Sequence, residues 1–166
     1  TDNTWKPVLT DQTITDPSKV SRVLLCSGKV RWDLVKAREK AGLEGEVAII
    51  ALEQLYPLPT DGIVEALAPY SQVTDFRWVQ DEPENQGPWP FMALNLPEDL
   101  QRHGEDRPLR VVSRPASASP ATGSAKVHAV DGNARPAAHE NQAQFVYPGF
   151  AAGDLALGQL VQGKAH

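Results

Sequence analysis

The chain has 166 residues, 41% hydrophobic and 22% charged, with a net charge of −5; this is the length and composition of one globular domain with its own core. Its 16 Lys and Arg residues are scattered, which excludes a nucleic-acid-binding face, since that needs clustered cations. Fourteen prolines and twelve glycines exclude a helical bundle, and no apolar run nears the ~20 residues that cross a bilayer.

The first twenty residues carry no sustained period and read as an arm (1–20) by which the chain enters the domain, docking through Trp5, Val8 and Leu9. Its start, T-D-N-T-W, has no methionine and no signal peptide, as expected of a piece of a longer protein in a reducing, cytoplasmic setting. Residues 22–27 (R-V-L-L-C-S) form a short apolar run that predicts a fully buried strand. Cys26, the single cysteine, allows no internal disulfide or thiolate zinc cluster and reads as a buried small hydrophobe rather than a nucleophile. A helix follows, with Val30, Leu34, Val35 and Ala41 on one face and Gly42 at its stop.

Residues 46–52 (E-V-A-I-I-A-L) predict the second strand. Thr60 then stands where it can cap a helix whose apolar face is Ile63, Val64 and Leu67. The third strand is 75–80 (D-F-R-W-V-Q). Residues 90–102 have a helical pattern that Pro97 is expected to interrupt or restart, and 109–113 (L-R-V-V-S) supply a fourth strand. Strand and helix alternate three times. Parallel neighbours require such crossovers, so the expected fold is a three-layer α/β/α sandwich with a mostly parallel sheet over 21–130. From Asp131 onward, Gly132, Asn133, Pro136, Pro148 and Gly149 break any long helix, and 131–166 reads as a divergent, poorly ordered tail.

Three stretches resemble chemistry. S-G-K at 27–29 leaves a strand and opens a helix, the place of a phosphate-binding loop, but only the Gly-Lys of that pattern remains. The plainer reading is a tight turn in which Gly28 permits close approach. A-T-G-S-A-K at 121–126 offers hydroxyls and amides to an anion; alternatively Ser124 or Thr122 caps a helix that begins near Ala125. Asp81, Glu82 and Glu84 leave the carboxyl end of the third strand, where ligands of open α/β sheets bind. They can act as an acid–base or metal pair only if they converge. The alternative is a structured connection anchored by Trp89 and Phe91. His103, His128, His139 and His166 are not at metal spacing from one another or from Cys26, so no metal site is expected.

Four stretches carry a family resemblance: L-L-C-S-G-K-V-R-W-D-L, L-E-Q-L-Y-P-L-P, W-V-Q-D-E-P-E-N-Q-G-P-W-P-F and R-P-A-S-A-S-P-A-T-G-S-A-K-V-H. In this order they resemble the C-terminal domain of the thiamine-diphosphate-dependent, decarboxylating component of 2-oxoglutarate dehydrogenase. The actinobacterial multifunctional 2-oxoglutarate decarboxylase is of the same family. The resemblance implies a transketolase C-terminal-like fold, and a parent enzyme of the citric acid cycle that uses thiamine diphosphate and Mg²⁺. It implies that both cofactors are held by earlier domains, so no catalytic residue is carried over to this chain. It further implies a role in assembly: packing on the cofactor-binding domains, homodimerisation, and in some members a complex with acyltransferase and lipoamide dehydrogenase components.

In the actinobacterial branch the glutamine of E-Q-L-Y-P, Gln54 here, belongs to an allosteric acetyl-CoA site. That branch has a basic pair just after L-P, where this sequence has Thr60, Asp61 and Gly62; losing two cations weakens a site for a phosphate-rich ligand. The rival expectation is a regulatory module holding acetyl-CoA or a nucleotide near Gln54, Lys29 and the 121–126 turn. A third is a stand-alone enzyme built on the 81–84 carboxylates. The stretch 114–128 reads as a docking strap, with Lys29, Ser124, Lys126 and His128 as interface or anion-binding candidates.

Overall fold

The computed structural model describes residues 4–118. Five strands form one sheet in the order β1-β3-β2-β4-β5: β1 (Val8–Leu9), β2 (Arg22–Cys26), β3 (Val47–Leu52), β4 (Asp75–Pro83) and β5 (Leu109–Arg114). β2 pairs in parallel with both β3 and β4, and β4 with β5, whereas β1 runs antiparallel to β3. Helices α1 (Val30–Ala41), α2 (Thr60–Leu67) and α3 (Trp89–Arg102) make the crossovers.

Because successive strand residues face opposite ways, the sheet divides its apolar residues between two cores. Leu24, Cys26, Val47, Ile49 and Ala51 meet Val30, Leu34 and Ala37 of α1 on one face. Val23, Leu25, Ala48, Ile50, Phe76 and Trp78 meet α2 and α3 on the other. β2 and β3 are buried along their whole length, which is why they read as continuous apolar runs rather than alternating ones. The expected mostly parallel α/β sheet, with helices on both faces, is therefore the observed one.

Local details depart from expectation in instructive ways. Val8 and Leu9 form an edge strand, paired with Leu52 and Ala51; two residues are too few to show a period. Trp5, expected to dock, is 63% exposed. Thr60 does not cap α2. It is the first helical residue, Pro59 precedes it, no side chain caps the helix, and its hydroxyl lies 3.4 Å from Asp99. Pro97 does not interrupt α3, which runs unbroken through it. Pro97 sits on the exposed side, where the carbonyl one turn back can turn to water instead of an amide. β4 extends three residues past its expected end, to Pro83. The expected tail (131–166) and the helix near Ala125 lie outside the described residues.

Gly42 ends α1 as expected, in the left-handed conformation (φ 68°), its amide donating to the Arg38 and Glu39 carbonyls. At the amino edge of the sheet, polar groups tie the loops together. Asp75 accepts from Arg22 Nε (2.6 Å) and from Arg77 Nε (2.6 Å). Arg107 donates to the Tyr70 (2.6 Å) and Val73 (3.0 Å) carbonyls.

Candidate interface at the carboxyl edge of the sheet

The carboxyl ends of β2, β3, β4 and β5 lie along one edge of the molecule, and the motif-bearing loops all emerge there. Since β1 is antiparallel, the residues before it reach the same edge, and the Glu53 amide donates to the Pro7 carbonyl at 2.9 Å.

S-G-K forms the turn from β2 into α1. Gly28 has φ 67°, and a Cβ there would meet nothing within 4 Å. The glycine is thus required by its backbone conformation and not, as the sequence suggested, by close approach of a neighbour. Lys29 extends from the turn into solvent and binds Asp33 at 3.1 Å, one helical turn on; Asp33 also raises the pKa of the ammonium. Cys26, just before the turn, is buried, and burial pushes its thiol up to about 12.

In the E-Q-L-Y-P loop, Gln54 Nε2 donates to the Pro57 carbonyl at 2.5 Å, closing the loop on itself. Tyr56 stands out from the loop with its ring edge against Phe91, centroids 6.3 Å apart. Asp61 is 98% exposed on its side chain and lies 3.2 Å from His103.

The third motif is organised by a residue that sequence reasoning left unassigned. Gln80 points into the core beneath the D-E-P-E-N-Q-G-P-W loop and is 2% exposed. Its Oε1 accepts from the Trp78 indole (3.0 Å) and the Trp89 amide (2.8 Å). Its Nε2 donates to the Pro83 (3.0 Å) and Gln86 (2.8 Å) carbonyls. One buried amide therefore anchors both ends of the loop. A glutamine inside an apolar strand just before a Pro/Gly loop was the available signal.

Asn85 and Gln86 project the other way, onto the chain leaving β5. Both side-chain amides donate to the Ser117 carbonyl (3.0 and 2.7 Å), and Asn85 Oδ1 accepts from the Ser117 amide at 2.9 Å. The beginning of the R-P-A-S stretch is thus clamped by the N-Q pair. Lys126, His128 and Ser124 lie outside the described residues. Asp81, Glu82 and Glu84 do not converge on a point: they follow one another along the end of β4 and its exit, and the Glu84 amide donates to the Arg114 carbonyl at 2.9 Å. Among the described residues no group of three His, Cys, Asp or Glu side chains is placed to hold a metal ion. These residues therefore do not fit a magnesium–diphosphate site, and no step of thiamine chemistry is assigned to them.

On the α1 side, a groove of about 510 Å³ opens at the same edge, lined by Trp5, Lys6, Leu9, Arg31, Trp32 and Glu53. The Arg31 guanidinium lies over the Trp32 ring, 5.4 Å from its centroid, a cation–π contact.

Fold and edge together define a parallel α/β domain whose motif amides are spent on its own backbone. The chain belongs to the family described as 2-oxoglutarate dehydrogenase C-terminal, whose defining pattern matches residues 1–135. It is 43% identical over 127 residues to the 2-oxoglutarate dehydrogenase E1/E2 component of Corynebacterium glutamicum, covering 76% of this chain and 10% of that protein. The multifunctional 2-oxoglutarate metabolism enzyme of Mycobacterium sp. (strain JLS) is 42% identical over 135 residues, covering 79% of this chain and 10% of that protein. The 2-oxoglutarate dehydrogenase E1 component of Haemophilus influenzae is 43% identical over 125 residues, covering 75% and 13%. The chain thus spans about a tenth of the length of these relatives and matches their C-terminal domain, without the catalytic domains. No helix among the described residues is long and apolar enough to cross a membrane.

Proposed function

We propose that this chain is the structural and assembly domain of a cytoplasmic, thiamine-diphosphate-dependent 2-oxoglutarate dehydrogenase (succinyl-transferring) or decarboxylase of the citric acid cycle. The domain contributes no group to the cofactor chemistry. It supports the homodimer on which the cofactor-binding domains are built and, in a complex, the encounter with acyltransferase and lipoamide dehydrogenase components.

The observation that carries this reading is the fate of the motif amides. Gln54, Gln80, Asn85 and Gln86 each satisfy main-chain groups of the domain itself, as expected of residues that shape a surface rather than bind a small ligand. For the same reason we assign no acetyl-CoA or nucleotide site to Gln54. Its amide is engaged, and Asp61 presents a carboxylate beside it in sequence where such a ligand needs cations.

Decarboxylation of 2-oxoglutarate with thiamine diphosphate and Mg²⁺ tests the proposal. The full-length polypeptide containing this domain turns over and sediments as a dimer, whereas the 166-residue chain alone is inert. Turnover by the chain alone would overturn the reading, and binding heat with acetyl-CoA would revive the regulatory one.

A further inference from the structure

The large apolar side chains that the described residues leave exposed are Trp5 (63%), Trp32 (62%), Tyr56 (83%) and Leu94 (77%). In sequence they are dispersed over ninety positions, yet the topology gathers them. Trp5 precedes the antiparallel strand β1, Trp32 is in the first turn of α1, Tyr56 is in the loop after β3, and Leu94 is in the second turn of α3. All four therefore belong to the carboxyl edge of the parallel strands. Trp5 and Trp32 share one groove on the α1 side, and Tyr56 meets Phe91, one turn before Leu94, on the other. The amino edge is different in kind, with the Arg22–Asp75–Arg77 and Arg107–Glu105 groups closing its loops.

An aromatic and aliphatic rim confined to one edge marks an interaction surface, because aromatic anchors dominate interface cores. We infer that this edge is the docking face of the domain, and that its occupant is the portion of the same polypeptide that precedes it in the full-length enzyme. Two observations select that occupant. The chain accounts for only 10–13% of its relatives, so a body several times its size is attached to it. The attachment, through residues 4–9, runs along this same edge beside β3. The clamped start of the 114–118 stretch leaves the sheet there too, adding polar main chain to the rim. The inference rests on the assembly role proposed above and specifies its surface.

Hydroxyl-radical footprinting of the full-length enzyme, with its own denatured chain as reference, reads the burial of each ring. Exposed side chains oxidise at close to the denatured rate; desolvation in an interface core is expected to slow Trp32 and Tyr56 by more than about fivefold. Near-denatured rates at both residues in the folded enzyme would overturn the inference. Amine-reactive cross-linking from Lys6 and Lys29 identifies the occupant. Links to the preceding portion of the polypeptide support it, and links solely to the same lysines of a second copy overturn it in favour of self-association. An enzyme that shows protection and upstream links but does not decarboxylate 2-oxoglutarate would refute the functional reading while leaving the docking face in place.

Discussion

Asp11 and Arg38, twenty-seven positions apart in the chain, form an ion pair with side chains 5% and 1% exposed. The pairing of β1 with β3 stops at Leu9, and Asp11 continues it with a side chain: its Oδ2 accepts from the Ile49 amide at 2.9 Å, on the edge of β3. Arg38 reaches the same point from α1, also donating to the Val47 carbonyl (2.8 Å) and the Thr13 hydroxyl (2.8 Å). One polar cluster thus ties the incoming arm, the edge strand and the helix together.

Removing Asp11 strands a buried guanidinium and an edge amide. Asp11→Ala is expected to cost about 3–5 kcal/mol in urea unfolding. Replacing both partners, Asp11→Ala with Arg38→Met, should recover much of that loss, because the uncompensated charge is gone. A double variant as unstable as the single one would show that the pair itself, not the desolvated charge, carries the energy.

Acid stability follows from the same cluster. Burial pushes the Asp11 carboxyl up, but its bonds to Arg38, Thr13 and Ile49 outweigh burial and hold it below 3.8. Asp75 is likewise raised by burial and lowered further by Arg77 and Arg22. A depressed carboxyl stabilises the fold fully above its unfolded pKa and ceases to do so as pH falls through its folded value. The unfolding midpoint should therefore begin to fall as pH drops below about 4, and Asp75→Asn should flatten the decline. A loss centred above pH 5 would point to other groups.

Gln80→Leu fills similar space but leaves the Trp78 indole and the Trp89 amide without their acceptor. With each buried unpaired donor costing about 1–3 kcal/mol, a loss of roughly 2–4 kcal/mol is expected. Hydrogen exchange should rise first in 84–89. Unchanged exchange there would mean that Asn85 and Gln86 hold the loop without Gln80.

Two glycines with the same backbone sign make a graded test. Gly28→Ala meets open space and suffers only from φ 67°, a penalty of about 1 kcal/mol. Gly87→Ala carries φ 62° and also places its Cβ 2.8 Å from Glu82 Cβ, so its loss of thermal midpoint should be clearly the larger. Equal losses would show that the N-Q-G turn can shift away from β4.

Cys26, buried and with its thiol raised to about 12, should react with a thiol reagent only as fast as the domain opens. Labelling at the rate of a free thiol in the native protein would contradict the packing of β2 against α1.

The alternation of apolar runs and helical faces was enough to predict the parallel sheet and its crossovers. Both faces of β2 and β3 must be buried, and V-L-L-C and V-A-I-I-A-L contain nothing that could face water. Gly42 was legible for a local reason, since a helix stop is a property of a few consecutive residues. What escaped was everything whose partner lies far along the chain. Val8 and Leu9 become a strand only because β3 offers a free edge, and Pro97 is tolerated only because its side of α3 meets solvent. Gln80 looks like one more polar residue until the loop folds over it, and the four exposed apolar side chains form one edge only after an antiparallel strand brings Trp5 round beside Trp32. Periodicity is written in neighbouring residues, where sequence can be read directly; hydrogen-bond partners and shared surfaces belong to the packing, and the tertiary structure alone decides them.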